Sequence, residues 1–186
     1  MKVAKKRKPS RASLLRKVTE MVTGKKAPRR RVAVPHFSIP EAFALADDIL
    51  ARPPAPGLFI KRPKPRGQLV ARFALPLHLC PTTNGTRGAP EWKLAKTKTA
   101  VGNLMLLQHR PVRSPIVGRP QVIARRFSAH ETDPHSDWAK MAIDRLVVGD
   151  GKLGFMRDDR GSQTEIHQVW EPAPVGKGCV IIEVRA

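Results

Sequence analysis

Hydrophobic and polar positions from residue 67 onward follow a rhythm that predicts alternating strands and helices. Four short runs rich in Val, Ile and other apolar residues are bounded by turns containing Pro or Gly, which is typical of β-strands. These runs cover residues 68–75, 121–128, 164–170 and 179–185. Between them, residues 91–108 and the segment from Asp137 to about Val148 place apolar side chains at helical spacing. The order β-α-β-α-β-β predicts an α+β fold, a single compact domain with a mixed four-stranded sheet and two packed helices.

The segment before this domain has a different composition. Residues 1–66 are rich in Pro and in basic side chains. Two short helices are expected there, one over 11–22 and one over 40–51 that begins with a proline, the residue favoured at a first helical position. A solvated, disordered tail is the alternative for the first 31 residues. The sequence therefore predicts a basic N-terminal extension over 1–66 and a compact domain over 67–186.

The charge of the chain points to a polyanionic partner. There are 35 Lys and Arg against 15 Asp and Glu, which gives a formal net charge of +20. Of this charge, +12 falls on residues 1–31 and +8 on the remaining 155 residues. Such an excess favours nucleic acid, because basic surfaces attract the phosphate backbone. An anionic membrane surface is the weaker alternative.

Hydropathy and cysteine usage bear on the compartment. No run of the sequence approaches the roughly 18 apolar residues of a membrane span. No apolar segment follows the basic N-terminus, as a secretion signal would require. Cys80 and Cys179 lack the spacing of a metal site and are expected to be reduced thiols. We therefore expect a cytoplasmic protein without a membrane partner.

An acidic cluster interrupts this basic sequence. Glu131, Asp133, Asp137 and Asp144 lie within 14 positions. Asp137, Lys140 and Asp144 are spaced to share one face of the predicted helix. A structural interpretation is open, in which the acidic residues cap the helix and interact favourably with the positive, N-terminal end of its dipole.

The histidines beside the cluster do not form a zinc-protease motif. His130 and His135 are five residues apart rather than four, and Pro134 would break the helix that has to align their rings. A serine hydrolase is also disfavoured, because the chain has no G-x-S-x-G turn.

The second interpretation of the acidic cluster is a metal site. Asp133 and Asp137 lie between a strand and a helix, and Asp158 and Asp159 lie in the turn before the next strand. Carboxylates at such places can converge on a hard cation such as Mg²⁺, with Mn²⁺ as a substitute. In a basic protein this suggests metal-assisted cleavage of phosphodiester bonds, with Lys140 neutralising a phosphate oxygen.

Other side chains are candidates for contacts with nucleic acid. Four basic residues upstream of the cluster are placed to bind phosphates or, alternatively, to form an ordinary solvated helix face: Arg87, Lys93, Lys96 and Lys98. The three tryptophans are candidates for stacking on exposed bases, and packing in the core or at the sheet edge is the competing expectation: Trp92, Trp138 and Trp170.

From about Gln68 to its C-terminus, the chain resembles the RusA-type Holliday-junction resolvases. The stretch CPTTNGTR, with Pro81 and Asn84, is similar to the turn that follows the first strand in that family. A helix, a strand, a segment that opens the next helix, an acidic pair and two closing strands then follow in the family's order. The sequence TEIHQVWEPAPVGKGCVIIEV is similar to the family's last hairpin.

The resemblance extends to the acidic cluster. Lys140 and Asp144 match the family's lysine and the aspartate four residues later, and the Asp158-Asp159 pair matches an acidic pair whose second member is catalytic in the family. With Lys140 aligned, the family's two metal-binding aspartates fall at Pro134 and Ser136. A one-residue insertion would bring the two flanking aspartates to those places.

The resemblance implies a Mg²⁺-dependent endonuclease that resolves four-way DNA junctions in recombination and repair. It implies a catalytic set in which the three aspartates are also the metal ligands: Lys140, Asp133, Asp137 and Asp159. It adds Asn84 to the candidate DNA contacts. It also implies a homodimer, for which strand 68–75 and helix 91–108 are the candidate interface.

Two other functions stay open on the sequence. One is a non-catalytic nucleic-acid-binding protein with the same fold and a degenerate site. The other is a ribosome- or nucleoid-associated basic protein, in which the acidic cluster is only the start of a helix.

Overall fold

The computed structural model describes residues 37–54, 57–58, 60–82, 86–132 and 136–186. Within them, three α-helices and four strands follow one another along the chain: α1 (Ile39–Ala51), β1 (Leu69–Pro76), α2 (Glu91–Gln108), β2 (Gln121–Ser128), α3 (Lys140–Leu146), β3 (Glu165–Pro172) and β4 (Cys179–Arg185). A single 3₁₀ turn, Leu77–Leu79, follows β1. The helix expected over 11–22 lies outside the described residues.

The four strands form one mixed sheet in the order β1-β4-β2-β3. β4 is antiparallel to both of its neighbours, β1 and β2, whereas β2 and β3 are parallel. The parallel pair needs a crossover, and the segment that carries α3 supplies it. The predicted α+β fold with a mixed four-stranded sheet is therefore confirmed.

The main core lies between one face of the sheet and the helices α2 and α3. It joins alternate side chains of the strands to apolar side chains of both helices, among them Phe73, Leu75, Val122, Ile182, Met105 and Leu146. Alternation places these strand residues on a single face, because successive side chains of a strand point to opposite sides. This packing sets the positions of α2 and α3 relative to the strand ends.

The opposite face of the sheet is covered by α1. Ala42 and Ala46 of this helix pack against Phe127 and Ile181 of the sheet. The hydroxyl of Ser38 caps the helix by accepting a hydrogen bond from the Glu41 N–H at 3.4 Å. The packed fold therefore extends upstream of the boundary that we expected at residue 66, because α1 buries its small side chains on the sheet.

The helix expected from Asp137 to about Val148 is shorter at both ends. It begins at Lys140, because the preceding residues form a tight turn in which the Lys140 N–H donates to the Asp137 carbonyl at 3.1 Å. It ends at Leu146, because the chain then pairs with a neighbouring segment through a bridge between Val147 and Met156. The other expected elements match the observed ones to within two residues at each end.

No helix within the described ranges is both long enough and apolar enough to cross a membrane.

Candidate functional site

The ammonium group of Lys140 joins two of the predicted acidic elements. Its Nζ lies 2.5 Å from Oδ2 of Asp159, in the turn before β3, and 3.0 Å from Oδ1 of Asp144, one turn further along α3. The side chains are partly exposed, with 53% of Lys140 and 26% of Asp159 accessible. Lys140 therefore connects α3 to the turn that carries Asp159.

These contacts shift the protonation equilibria of both partners. The hydrogen bond to Asp159, and then the one to Asp144, raise the pKa of Lys140 above its ordinary value. The hydrogen bond from Lys140 in turn lowers the pKa of Asp159. At neutral pH the pair therefore consists of an ammonium and a carboxylate.

Asp137 and Asp158 lie close in sequence to Lys140 and Asp159. Asp137 is exposed and lies before the first residue of α3, so it does not share a helical face with Lys140 and Asp144 as we expected. Oδ2 of Asp158 lies 3.1 Å from Nε of Arg160. The carbonyl of Asp158 accepts a hydrogen bond from the Thr164 hydroxyl at 2.7 Å, which holds the turn against the start of β3.

Two of the predicted site residues, Asp133 and Asn84, lie outside the described residues. In the part of the chain that the structure describes, no three His, Cys, Asp or Glu side chains come together as a metal site. Of the three expected metal ligands, Asp137 and Asp159 are described, and carboxylate oxygens are the ligands that Mg²⁺ prefers.

A second set of contacts brings the turn after β1 to the start of α3. Nη1 of Arg126, near the end of β2, donates to the Cys80 carbonyl at 2.6 Å. The guanidinium of Arg126 also lies over the Trp138 ring, 5.9 Å from its centroid. The adjacent Ala139 N–H donates to the Gln168 side-chain oxygen of β3 at 3.4 Å. Segments from four parts of the sequence therefore meet beside Lys140.

Arg126 was not among the residues that we selected from the sequence. Burial of the Arg126 guanidinium lowers its pKa, and burial of the Cys80 thiol raises the pKa of that thiol to about 12. An arginine pair, Arg125-Arg126, within an otherwise apolar strand was the available signal. Both residues are paired in the structure, Arg125 with Glu183 on the opposite face of the sheet at 3.0 Å.

The predicted phosphate contacts are all on the surface. Arg87 is exposed in the turn before α2, and the three lysines are exposed on the first half of that helix: Lys93, Lys96 and Lys98. Among the tryptophans, Trp138 is buried in the core, and the Trp170 indole N–H donates to the Ser128 carbonyl at 3.2 Å. Trp92, in contrast, is 62% exposed. Packing is therefore confirmed for two tryptophans and not for Trp92.

Comparisons with known proteins identify no relative of this chain: no family model, no curated protein and no solved structure matches it. The similarity to RusA-type resolvases therefore stays a prediction that depends on the order and spacing of the motifs.

Proposed function

We propose that this protein is a Mg²⁺-dependent endonuclease that cleaves branched DNA and resolves four-way junctions. The observation that carries the proposal is the contact of Lys140 with Asp144 and Asp159. It joins two acidic segments that are about 15 residues apart, and it does so on a chain with a net charge of +20. Carboxylates oppose binding to a polyanion, so their grouping beside a lysine supports a chemical role for them.

The proposed roles follow from the charge of each group. Mg²⁺ held by Asp133, Asp137 and Asp159 would lower the pKa of a bound water and offset charge on the reacting phosphate. The Asp159 carboxylate is anionic at neutral pH, as an aspartate ordinarily is, and the hydrogen bond from Lys140 lowers its pKa further. The Lys140 ammonium stays charged at the same pH and is half exposed, so it can hold a phosphate oxygen.

Cleavage of a junction on two opposed strands requires two sites, so we also propose a homodimer with two-fold symmetry. β1 is an edge strand of the sheet, and edge strands can pair with a second chain. The Gln108 side chain of α2 occupies the backbone N–H and carbonyl of Ala74, at 2.8 and 3.0 Å, so the start of β1 is the part that supports a dimer. Leu69 and Val70 at the start of β1 are exposed large apolar side chains, 42% and 38% accessible. They fit the interface that we expected over 68–75.

Substitution of the acidic residues tests the proposed site. We expect Asp133→Asn, Asp137→Asn and Asp159→Asn each to lower Mg²⁺-dependent nicking of a labelled four-way junction by at least about a hundred-fold. Affinity for the junction should stay equal or rise, because each change removes a negative charge and leaves the size of the side chain nearly the same. Lys140→Ala should lower the rate by about 10²–10³-fold through the loss of charge stabilisation.

Asp144→Asn is the matched control for this series. Asp144 contacts Lys140 from within α3, so its loss should reduce the rate only partly. A linear duplex and a reaction without Mg²⁺ serve as substrate and cofactor controls. Full nicking activity in both Asp133→Asn and Asp137→Asn would contradict the proposed ligand set.

A non-catalytic nucleic-acid-binding protein is the second candidate. It is favoured by the same ion pair, since Lys140 and Asp159 already neutralise each other. It is also favoured by Pro134 and Ser136, which stand where the family to which this chain is similar has its metal-binding aspartates. Tight junction binding without nicking at any Mg²⁺ or Mn²⁺ concentration would support this candidate. The third candidate, a ribosome- or nucleoid-associated protein, would show no preference for junctions over duplexes.

A further inference from the structure

The first half of α2 takes no part in the core of the domain. Residues 91–100 are all described, and none of them is buried. The buried residues of α2 all lie in its second half: Val101, Gly102 and Met105. The fold therefore leaves most of the first half of α2 exposed, with Leu94, Thr97 and Ala100 partly buried along one side.

Trp92 stands on this open part of the helix. The side chain is 62% exposed, although burial of an indole is strongly favourable. The ammonium group of Lys96, one turn further on, lies 5.1 Å from the centre of the Trp92 ring. Packing among the described residues therefore does not account for the position of Trp92.

The surroundings of Trp92 are positively charged. Lys93, Lys96 and Lys98 are exposed on the same half of α2, and Arg87 is exposed in the turn before it. Glu91 is the one acidic residue in the sequence of α2. An exposed aromatic ring among cations is the combination that proteins use to bind single-stranded nucleic acid, with the ring against a base and the cations on phosphates.

A second copy of this chain is a poorer occupant for the same surface. Two copies would bring like charges together, and lysine is depleted at the centres of protein interfaces. An apolar partner would also leave the lysines without counter-charges. The charge of the surface therefore favours a polyanion whose flat rings can stack on Trp92.

This surface adjoins the candidate site. Nη2 of Arg145 in α3 donates to the Lys98 carbonyl of α2 at 3.0 Å. α3 begins with Lys140, so the open half of α2 and the Lys140 contacts belong to two helices in direct contact.

We propose that Trp92 is a stacking platform for an unpaired base of DNA, with Lys93, Lys96 and Lys98 holding the phosphates on either side. The proposal rests on the proposed nucleic-acid function. It adds a substrate preference, because only single-stranded or branched DNA has a base free to stack. The platform accordingly selects unpaired or distorted DNA over a blunt duplex.

Fluorescence anisotropy with labelled oligonucleotides tests the platform on the full-length protein. The probes are a single strand, a forked duplex and a blunt duplex of equal length. We expect Trp92→Ala to weaken binding of the single strand and the fork by about 5- to 100-fold, the effect of losing one stacked base. Binding of the blunt duplex should not change. Trp92→Phe should retain most of the affinity, because phenylalanine also stacks.

Two controls separate stacking from general effects. Val117→Ala removes an exposed apolar side chain outside α2, 96% accessible, and should leave binding of all three probes unchanged. Intrinsic fluorescence of the wild type should be quenched when the single strand binds, and Trp92→Phe should remove this quenching. Circular dichroism should be unchanged in each variant, since neither side chain is buried.

The possible failures are distinguishable. A wild type that binds the single strand, with Trp92→Ala binding it equally well, overturns the platform and leaves the proposed function intact. A wild type that binds no DNA overturns the proposed function and the platform together. A lower molar mass of Trp92→Ala in light scattering overturns the platform in favour of an interface between copies.

Discussion

Most carboxylates in the described ranges lie beside a cation. Asp159 contacts Lys140, and Glu183 lies 3.0 Å from Nη1 of Arg125. Arg72 and Arg185 also approach Glu183, at 3.6 and 3.5 Å. An excess of Lys and Arg makes such pairing easy, so pairing by itself does not identify a site. The Lys140 contacts differ from the Glu183 contacts in being open to solvent, where a substrate could reach them.

The Lys140–Asp159 pair predicts a specific dependence of stability on pH. The pKa of Asp159 is lower in the folded chain than its ordinary value, so folding favours the ionised form of this carboxyl group. Its contribution is therefore present above about pH 4, the ordinary pKa of an aspartate, and is lost as pH falls through the folded pKa. We expect Asp159→Asn to lower the free energy of unfolding by a few tenths of a kcal/mol at pH 7 and by nothing at low pH, since both partners are partly exposed.

Urea unfolding of the two proteins at several pH values between about 2 and 7, a range that includes the titration of an aspartate, measures this difference in the free energy of unfolding. In a Lys140→Met background the effect of Asp159→Asn should disappear, because the partner that lowers the pKa is gone. An equal loss at every pH, with or without Lys140, would show that the pair does not stabilise the fold.

At the level of secondary-structure elements, one arginine connects α1 to the far edge of the sheet. Nε and Nη2 of Arg62 donate to the two carboxylate oxygens of Glu171 in β3, at 2.8 and 2.9 Å. Nη1 of Arg62 donates to the Arg52 carbonyl just after α1, at 2.7 Å. One side chain therefore satisfies a buried carboxylate and the end of a helix.

Removal of Arg62 should destabilise the fold strongly. The Glu171 side chain is fully buried, so Arg62→Met would leave a carboxylate without its counter-charge, at a cost of about 3–5 kcal/mol in the free energy of unfolding. The double variant Arg62→Met with Glu171→Met should recover most of this loss, since it removes both charges. Urea denaturation of the wild type, the two single variants and the double variant at pH 7 measures this cycle.

Arg66 and Glu165 provide the comparison for this pair. They are separated by 3.5 Å, and 76% of Arg66 is exposed. Arg66→Met should therefore cost far less than Arg62→Met, because water replaces the lost partner. Equal losses for the two variants would mean that the burial of Glu171 is not what makes its arginine necessary.

For the whole molecule, the distribution of charge decides how it meets DNA. Residues 1–31 carry a net +12, more than the rest of the chain together. Electrostatic attraction should therefore come mainly from this segment, whereas selection among DNA shapes should come from the domain. The two contributions separate by their dependence on salt.

Deletion of residues 1–31 should weaken DNA binding broadly and flatten its salt dependence. The slope of log K against log salt falls by about 0.9 for each phosphate contact that is lost. Anisotropy titrations of junction and duplex at several salt concentrations measure both slopes. The preference for junctions should survive the deletion, and an unchanged slope would exclude this segment as a DNA contact.

Much of the fold was determined by local sequence pattern. The bounds of α2, β2 and β4 agree with the expected ones, because a turn containing Pro or Gly precedes each of them. The approach of Lys140 to Asp144 follows from their spacing of four in a helix. Such features depend on neighbours in the chain, so the sequence alone is sufficient for them.

Other features were decided only by tertiary structure. Lys140 meets Asp159 across 19 positions, and Arg62 meets Glu171 across 109. α1 belongs to the packed fold because its small residues match a face of the sheet that four strands build together. No local pattern encodes these contacts, since each depends on where separate elements come to lie once the core has formed. For the same reason the sequence left three tryptophans equivalent, and only the packing left Trp92 on the surface.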